Sequence, residues 1–177
     1  PAPIPSAPVK PEVSLDQVLQ ESEEDARCGR FKDAQVRLER AEATFQNSAP
    51  LLRARATIYL AEGDHKSAQR FFDRALTIDP RDSKSLCGSG MCAVMRGDTR
   101  GGHDAFVRAL AIDPGQLTAI HQLIRASYEL NTYEALEQVL RNYLARVKED
   151  AEIRFCLGGC LYKAGRIQEA QQVFEQV

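Results

Sequence analysis

This sequence of 177 residues has no surplus of charge of either sign. Its 23 Lys and Arg stand against 25 Asp and Glu, a formal net charge of −2. A protein that grips duplex DNA or RNA does so with a basic stripe that displaces counterions, so nucleic acid is not the expected partner. No run of 18 apolar residues occurs, and no membrane-crossing helix is expected. HExxH, a phosphate-cradling glycine loop and a two-metal carboxylate pattern are all missing, and with them the commonest signatures of catalysis. Gly88-Ser89-Gly90 imitates part of a nucleophile elbow but falls inside a helical pattern. The cysteines Cys28, Cys87, Cys92, Cys156 and Cys160 are odd in number and form no paired framework. His65, His103 and His121 are too scattered to complete a tetrahedral metal site, so neither metal nor cofactor is expected. Buried free thiols suit a reducing cytosol, which makes the expected location cytoplasmic, with the periplasm as the alternative if a leader has been removed.

What the chain does have is a period of 34 residues. Gly29, Gly63, Gly97 and Gly165 fall on one grid, with Asn131 in the remaining slot. Ala34, Ala68, Gly102 and Ala170 follow five residues later, then Leu38, Phe72, Phe106, Leu140 and Phe174, then Ala41, Ala75 and Ala109. Self-similarity at this spacing marks a solenoid, in which each unit buries its apolar face by stacking on its neighbours. Ser22, Ala56, Gly90 and Gly158 are small where the two helices of one unit should cross most closely. In the fourth unit Ile124, Asn131, Leu136 and Tyr143 replace small residues or glycine, which predicts wider helix spacing there.

Residues 1–13 hold five of the eight prolines and read as a semi-rigid linker. Helix signals begin at Ser14, which starts a capping-box pattern with Gln17, and Ser48 caps a later helix that tolerates Pro50 in its first turn. The spacing predicts helix pairs over 15–28 and 31–46, 49–62 and 65–78, 83–96 and 99–112, 117–130 and 133–147, and 151–164 and 167–177. Pro80 and Pro114 stop the second helix of their units. Sustained two-residue alternation is absent, so no strands are expected. The acidic run from Glu21 to Asp25 reads as the solvated face of an end repeat. Both ends of the sequence look cut, as in a fragment of a longer chain.

Ala68, Phe72 and Ala75 followed by Leu76-Thr77-Ile78-Asp79-Pro80 form one motif, and Phe106 and Ala109 followed by Leu110-Ala111-Ile112-Asp113-Pro114 repeat it. This pattern resembles the tetratricopeptide repeat, with five units starting near Leu15, Ala49, Ser83, Leu117 and Ala151. The resemblance implies an all-α, right-handed superhelical solenoid of antiparallel helix pairs over 14–177, the last pair incomplete. It also implies a concave groove lined by the first helices, where a partner peptide or helix lies.

The groove positions expected on this basis are Arg53, Thr57, Leu60, Lys84, Cys87, Met91, Val94, His121, Arg125, Tyr128, Phe155 and Tyr162. Cys87, Met91 and Val94, with Met95 beside them, form an apolar strip bordered by Arg53, Lys84 and Arg125, which suits an apolar segment carrying acids. Lys84 alone occupies a slot of the carboxylate clamp known in some relatives; Thr57 and Gly88 stand where that clamp needs asparagine. The expected function is therefore a non-catalytic protein-interaction module, an adaptor or scaffold. The alternatives are a regulatory C-terminal arm of a larger signalling enzyme, such as a methyltransferase or glycosyltransferase, and a scaffold that self-assembles through the open end near Val177.

Overall fold

The computed structural model describes residues 13–177, so the proline-rich linker, apart from Val13, lies outside the described residues. Those residues form ten helices and no strand: α1 (Leu15–Arg27), α2 (Phe31–Thr44), α3 (Ala49–Ala61), α4 (His65–Ile78) and α5 (Ser83–Met95), then α6 (Thr99–Ile112), α7 (Leu117–Leu130), α8 (Glu134–Leu144), α9 (Ala151–Lys163) and α10 (Ile167–Phe174). Successive helices pack on one another in chain order, giving a solenoid of five hairpins.

Local chemistry explains the boundaries. Ser14 Oγ accepts the Gln17 backbone N–H at 3.2 Å, and Asp64, Asp98 and Asp150 do the same three residues ahead at 3.0, 2.8 and 3.0 Å. Only half of the expected capping box forms, because the Gln17 amide donates forward to Glu21. The turn inside each hairpin needs left-handed backbone. Gly29, Gly63, Gly97 and Gly165 supply it at φ +75 to +85, and Asn131 adopts φ +54 in the fourth slot. Helix α8 is shorter than the predicted 133–147. Tyr133 offers no capping oxygen at its start, and after Tyr143 the chain tightens into a turn in which Arg146 and Val147 share one carbonyl. Helix α10 likewise ends at Phe174 rather than 177.

The core is a strip in which one aromatic or leucine per unit fills the gap between helices. Leu38, Phe72, Phe106 and Leu140 are at most 1% exposed. Phe106 lies over Gly90, where a Cβ would come within 2.6 Å of the ring, and Phe174 lies over Gly158 in the same way. Phe72 reaches across to the next unit, and its ring occupies the space a Cβ on Gly88 would need. Gly88 and Gly90 thus serve packing inside α5, where Ser89 Oγ accepts a hydrogen bond from Gln69 at 2.7 Å. Phe174 is the exception in its column at 36% exposure, since no described helix covers it. In the fourth hairpin Ile124 and Leu136 occupy the columns held elsewhere by small residues, and α7 and α8 are the least intimately packed pair of the five. Tyr143 replaces the alanine of the contact with the next unit, and its hydroxyl donates to Asp150 at 3.0 Å.

The acidic face of α1 is not wholly solvated. Asp25 is 6% exposed and accepts hydrogen bonds from Arg30 at 2.8 Å and Arg37 at 2.9 Å. It is buried on the face of α1 that packs on α2, so an unpaired carboxylate there would be costly and the two guanidiniums offset that cost. Between units, Glu42 accepts from both Arg55 and Arg74, while Arg55 lies 4.3 Å over the Phe71 ring, itself stacked on Tyr59 at 5.4 Å.

Two measurements test this packing. Gly88→Ala should lower the stability measured by urea unfolding by an overpacking cost of about 1–3 kcal/mol, while Gly115→Ala, whose Cβ would meet only Asp113 Oδ1 at an ordinary 3.5 Å, should leave it nearly unchanged. Arg30 first and Arg37 second hold the Asp25 carboxyl below the ordinary value of 3.8. Its folded value thus lies beneath the unfolded one, so the contribution is complete above that ordinary value and is lost as pH falls through the lowered one. Stability measured from roughly pH 4 downward should therefore fall less steeply in Asp25→Asn than in the parent protein.

Candidate binding groove

The first helices form one wall. α1 touches α3, α3 touches α5 and α5 touches α7, each pair meeting past the second helix that separates them in sequence. Among the second helices contact of that extent arises between α6 and α8 alone, among the described residues. The rod is therefore curved with the first helices inside. Between α7 and α9 the backbones approach less closely, so the wall opens where the loose fourth hairpin meets the fifth.

The predicted groove residues distribute unevenly on this wall. Thr57, Lys84, His121 and Arg125 are exposed, as are Phe155 at 60% and Tyr162 at 57%. Met95, which neighbours the predicted strip, is 63% exposed and extends the apolar surface further than Met91 does. Leu60, Met91, Val94 and Tyr128 are half-buried and form the floor. Val94 lies directly against Gly102, whose missing Cβ leaves its methyl room. Cys87 departs from expectation: at 3% exposure its thiol belongs to the core with Leu86 and Ile120, and it presents nothing to the groove.

Electrostatics change the picture for Arg53 as well. Its guanidinium donates to the Asp82 carboxylate at 2.6 Å, and the same oxygen accepts the Ser85 hydroxyl at 2.6 Å. Burial works to raise the Asp82 pKa, but the hydrogen bonds from Ser85 and Arg53 outweigh it and hold the carboxyl below its ordinary value. Arg53 is thus spent on tying α3 to the start of α5. This lock was missed in the sequence because its partner sits 29 residues away, just before the next unit begins. Thr99 and Glu129 make a similar cross-unit bond at 2.7 Å over 30 residues. Lys84 and Arg125, by contrast, have no carboxylate within 4.0 Å among the described residues. His121 lies 4.0 Å from Glu152.

Tyr128 bridges the opening in the wall. Its ring meets Tyr133 edge-on at 5.5 Å, and its hydroxyl lies where a Cβ on Gly159 would come within 2.7 Å. Burial raises the Tyr128 pKa, so the phenol stays protonated and available as a donor at neutral pH.

Reactive chemistry is weakly supported by these groups. Burial pushes the thiols of Cys87, Cys92 and Cys160 up to about 11, which keeps them protonated and poorly nucleophilic. Cys28 is exposed rather than buried, a departure from the expected pattern. Among the described residues no three His, Cys, Asp or Glu side chains converge as a metal site, and no helix is long and apolar enough to cross a membrane.

Five stacked hairpins, left-handed turn positions every 34 residues and a wall of first helices coincide with matches to two family models, both described as tetratricopeptide repeat, over residues 26–86 and 133–177. The chain belongs to the tetratricopeptide repeat family. Among curated proteins, the Protein CTR9 homolog of Arabidopsis thaliana is 29% identical over 114 residues, which is 63% of this chain and 10% of that protein. The tetratricopeptide array described here therefore spans about a tenth of that relative's length. Among solved structures, MamA matches with a TM-score of 0.70 and 15% identity, covering 88% of this chain and 91% of its own. YrrB, described as a TPR protein with an unusual peptide-binding site, matches with a TM-score of 0.66 and 22% identity, over 78% and 72% of the two chains. At these identities the structural likeness shows the fold alone.

Gly159→Val should displace the Tyr128 ring, so near-ultraviolet circular dichroism from tyrosine should change while far-ultraviolet helicity stays intact. An unchanged tyrosine signal would contradict the bridge.

Proposed function

We propose that this tetratricopeptide array is a protein-interaction module that holds a segment of a partner protein along the wall of first helices. The observation that carries this reading is the exposure of Met95 on the wall of first helices that also carries Lys84 and Arg125, which have no carboxylate within 4.0 Å among the described residues. Phe155 and Tyr162 are exposed on the last first helix, at its open end beside Phe174. Large apolar groups clustered on one surface with adjacent charge mark an interaction site more often than a solvated face. The surrounding frame supplies rigidity: the floor residues Leu60, Met91, Val94 and Tyr128 are held by packing, so little order must be gained on binding. Within this proposal Thr57 and His121 provide polar contacts, while Arg53 and Cys87 act as frame rather than contact. The module works as adaptor or scaffold, not as a catalyst. The small share of the CTR9 homolog that it matches favours a second reading in which the array is one arm of a larger protein. The exposed Ile167 and Phe174 on the last hairpin favour, as a further alternative, stacking of one copy on another.

Capture from native extract with the intact protein, followed by mass spectrometry, should recover a partner that is lost with Met95→Glu or Arg125→Glu. The same partner should be retained with Arg108→Glu on the opposite face. Equal recovery by all three variants would contradict the groove. Light scattering that shows mass rising with concentration, abolished by Ile167→Glu, would favour self-stacking instead.

A further inference from the structure

Charge is compensated unevenly along the groove wall. On α1 the carboxylates of Asp16 and Glu23 are exposed with no Lys, Arg or His within 4.0 Å among the described residues. Their neighbours Glu21, Glu24 and Asp25 are already taken by Arg37, Arg27 and Arg30. On α3 the single groove cation, Arg53, is neutralised by Asp82. On α5 and α7 the situation reverses, with Lys84 and Arg125 exposed and unpaired. The wall therefore passes from acidic at α1, through neutral at α3, to basic at α5 and α7, where the exposed apolar side chains also begin.

We propose that the groove takes one continuous peptide segment of a partner protein in a single orientation. Lys or Arg side chains at one end of the segment lie over Asp16 and Glu23. Carboxylates interleaved with Leu- or Phe-like side chains lie over Lys84, Arg125 and Met95. This rests on the groove reading above and adds to it the chemistry and polarity of the occupant. A free C-terminal carboxylate is not the feature recognised, because Gly88 is filled against Phe72 and Thr57 bonds back to the Arg53 carbonyl at 3.0 Å. From α1 to α7 the segment crosses three helix-to-helix steps of about 10 Å each, a distance spanned by about nine extended residues or about twenty helical ones. Opposed charges at that separation fix register and direction, while the apolar contacts supply most of the affinity.

The probes are two labelled synthetic peptides of identical composition, each about twenty residues long. One carries Lys and Arg at one end and Glu interleaved with Leu and Phe at the other; the second alternates the same charges throughout. Fluorescence anisotropy should show the segregated peptide binding about tenfold more tightly at low salt. That advantage should vanish at high salt and in the double variant Lys84→Glu/Arg125→Glu, whose substitutions are exposed and leave the fold intact by circular dichroism. Equal affinity of the two peptides, no binding of either, or an advantage that survives the double variant would overturn the inference. Equal affinity that Met95→Glu abolishes would overturn the polarity alone and leave the groove standing. Binding insensitive to Met95→Glu would overturn the groove reading as well.

Discussion

How closely two helices approach depends here on whether a Cβ stands at their crossing, and the architecture follows from that distance. Gly90 and Gly158 let Phe106 and Phe174 lie flat between the helices of a hairpin, and Gly88 lets Phe72 reach the following one. The Phe72 and Phe106 rings, at most 1% exposed, are closed off from water by this packing, while Phe174 at the last hairpin is not. No hairpin can bury its own apolar face without the next, which is why the units stack in sequence order rather than collapse about one centre. Where Ile124 and Leu136 put bulk at the close-contact columns, the fourth hairpin loosens and the inner wall opens.

The same constraint divides the surface by task. Second helices spend their small and aromatic residues on stacking, and first helices spend one face on that contact and leave the other free. Polar locks between units, such as Arg53 with Asp82, Thr99 with Glu129 and Arg55 with Glu42, reinforce the frame without occupying the whole inner face. What is left over on the wall, among the described residues, is a short set of charges without an ion-pair partner, Asp16, Glu23, Lys84 and Arg125, together with the exposed Met95. Function in a frame of this kind rests on those leftovers, since the groups that hold the frame are already engaged.

Much of this was legible in the 34-residue period. The five hairpins, the tight turns at the glycine column and the close crossing at Gly90 follow from residue type alone, because a backbone conformation or a missing Cβ has few alternatives; Asn131, read as added bulk, instead takes the same left-handed turn. The spacing also assigns groove positions to one face of each first helix, as an expectation from helical geometry. Their individual exposure was not legible. Cys87 turns into the core and Arg53 is captured by Asp82 because of contacts made with the next unit, and spacing within one repeat carries no sign of them. Nor could the acidic stretch on α1 be sorted into exposed Glu23 and buried Asp25 until the positions of Arg30 and Arg37 were known. Position in the period sets which face a residue is on, and its neighbours decide whether it is free.

The central claim is that the helices pile into a curved rod with the first helices on its inner wall. Small-angle X-ray scattering of residues 13–177 in dilute solution tests it most directly. The account predicts an asymmetric pair-distance distribution with a long tail and a radius of gyration distinctly above about 16 Å, the value for a compact domain of this length. A symmetric distribution at that compact value would contradict it.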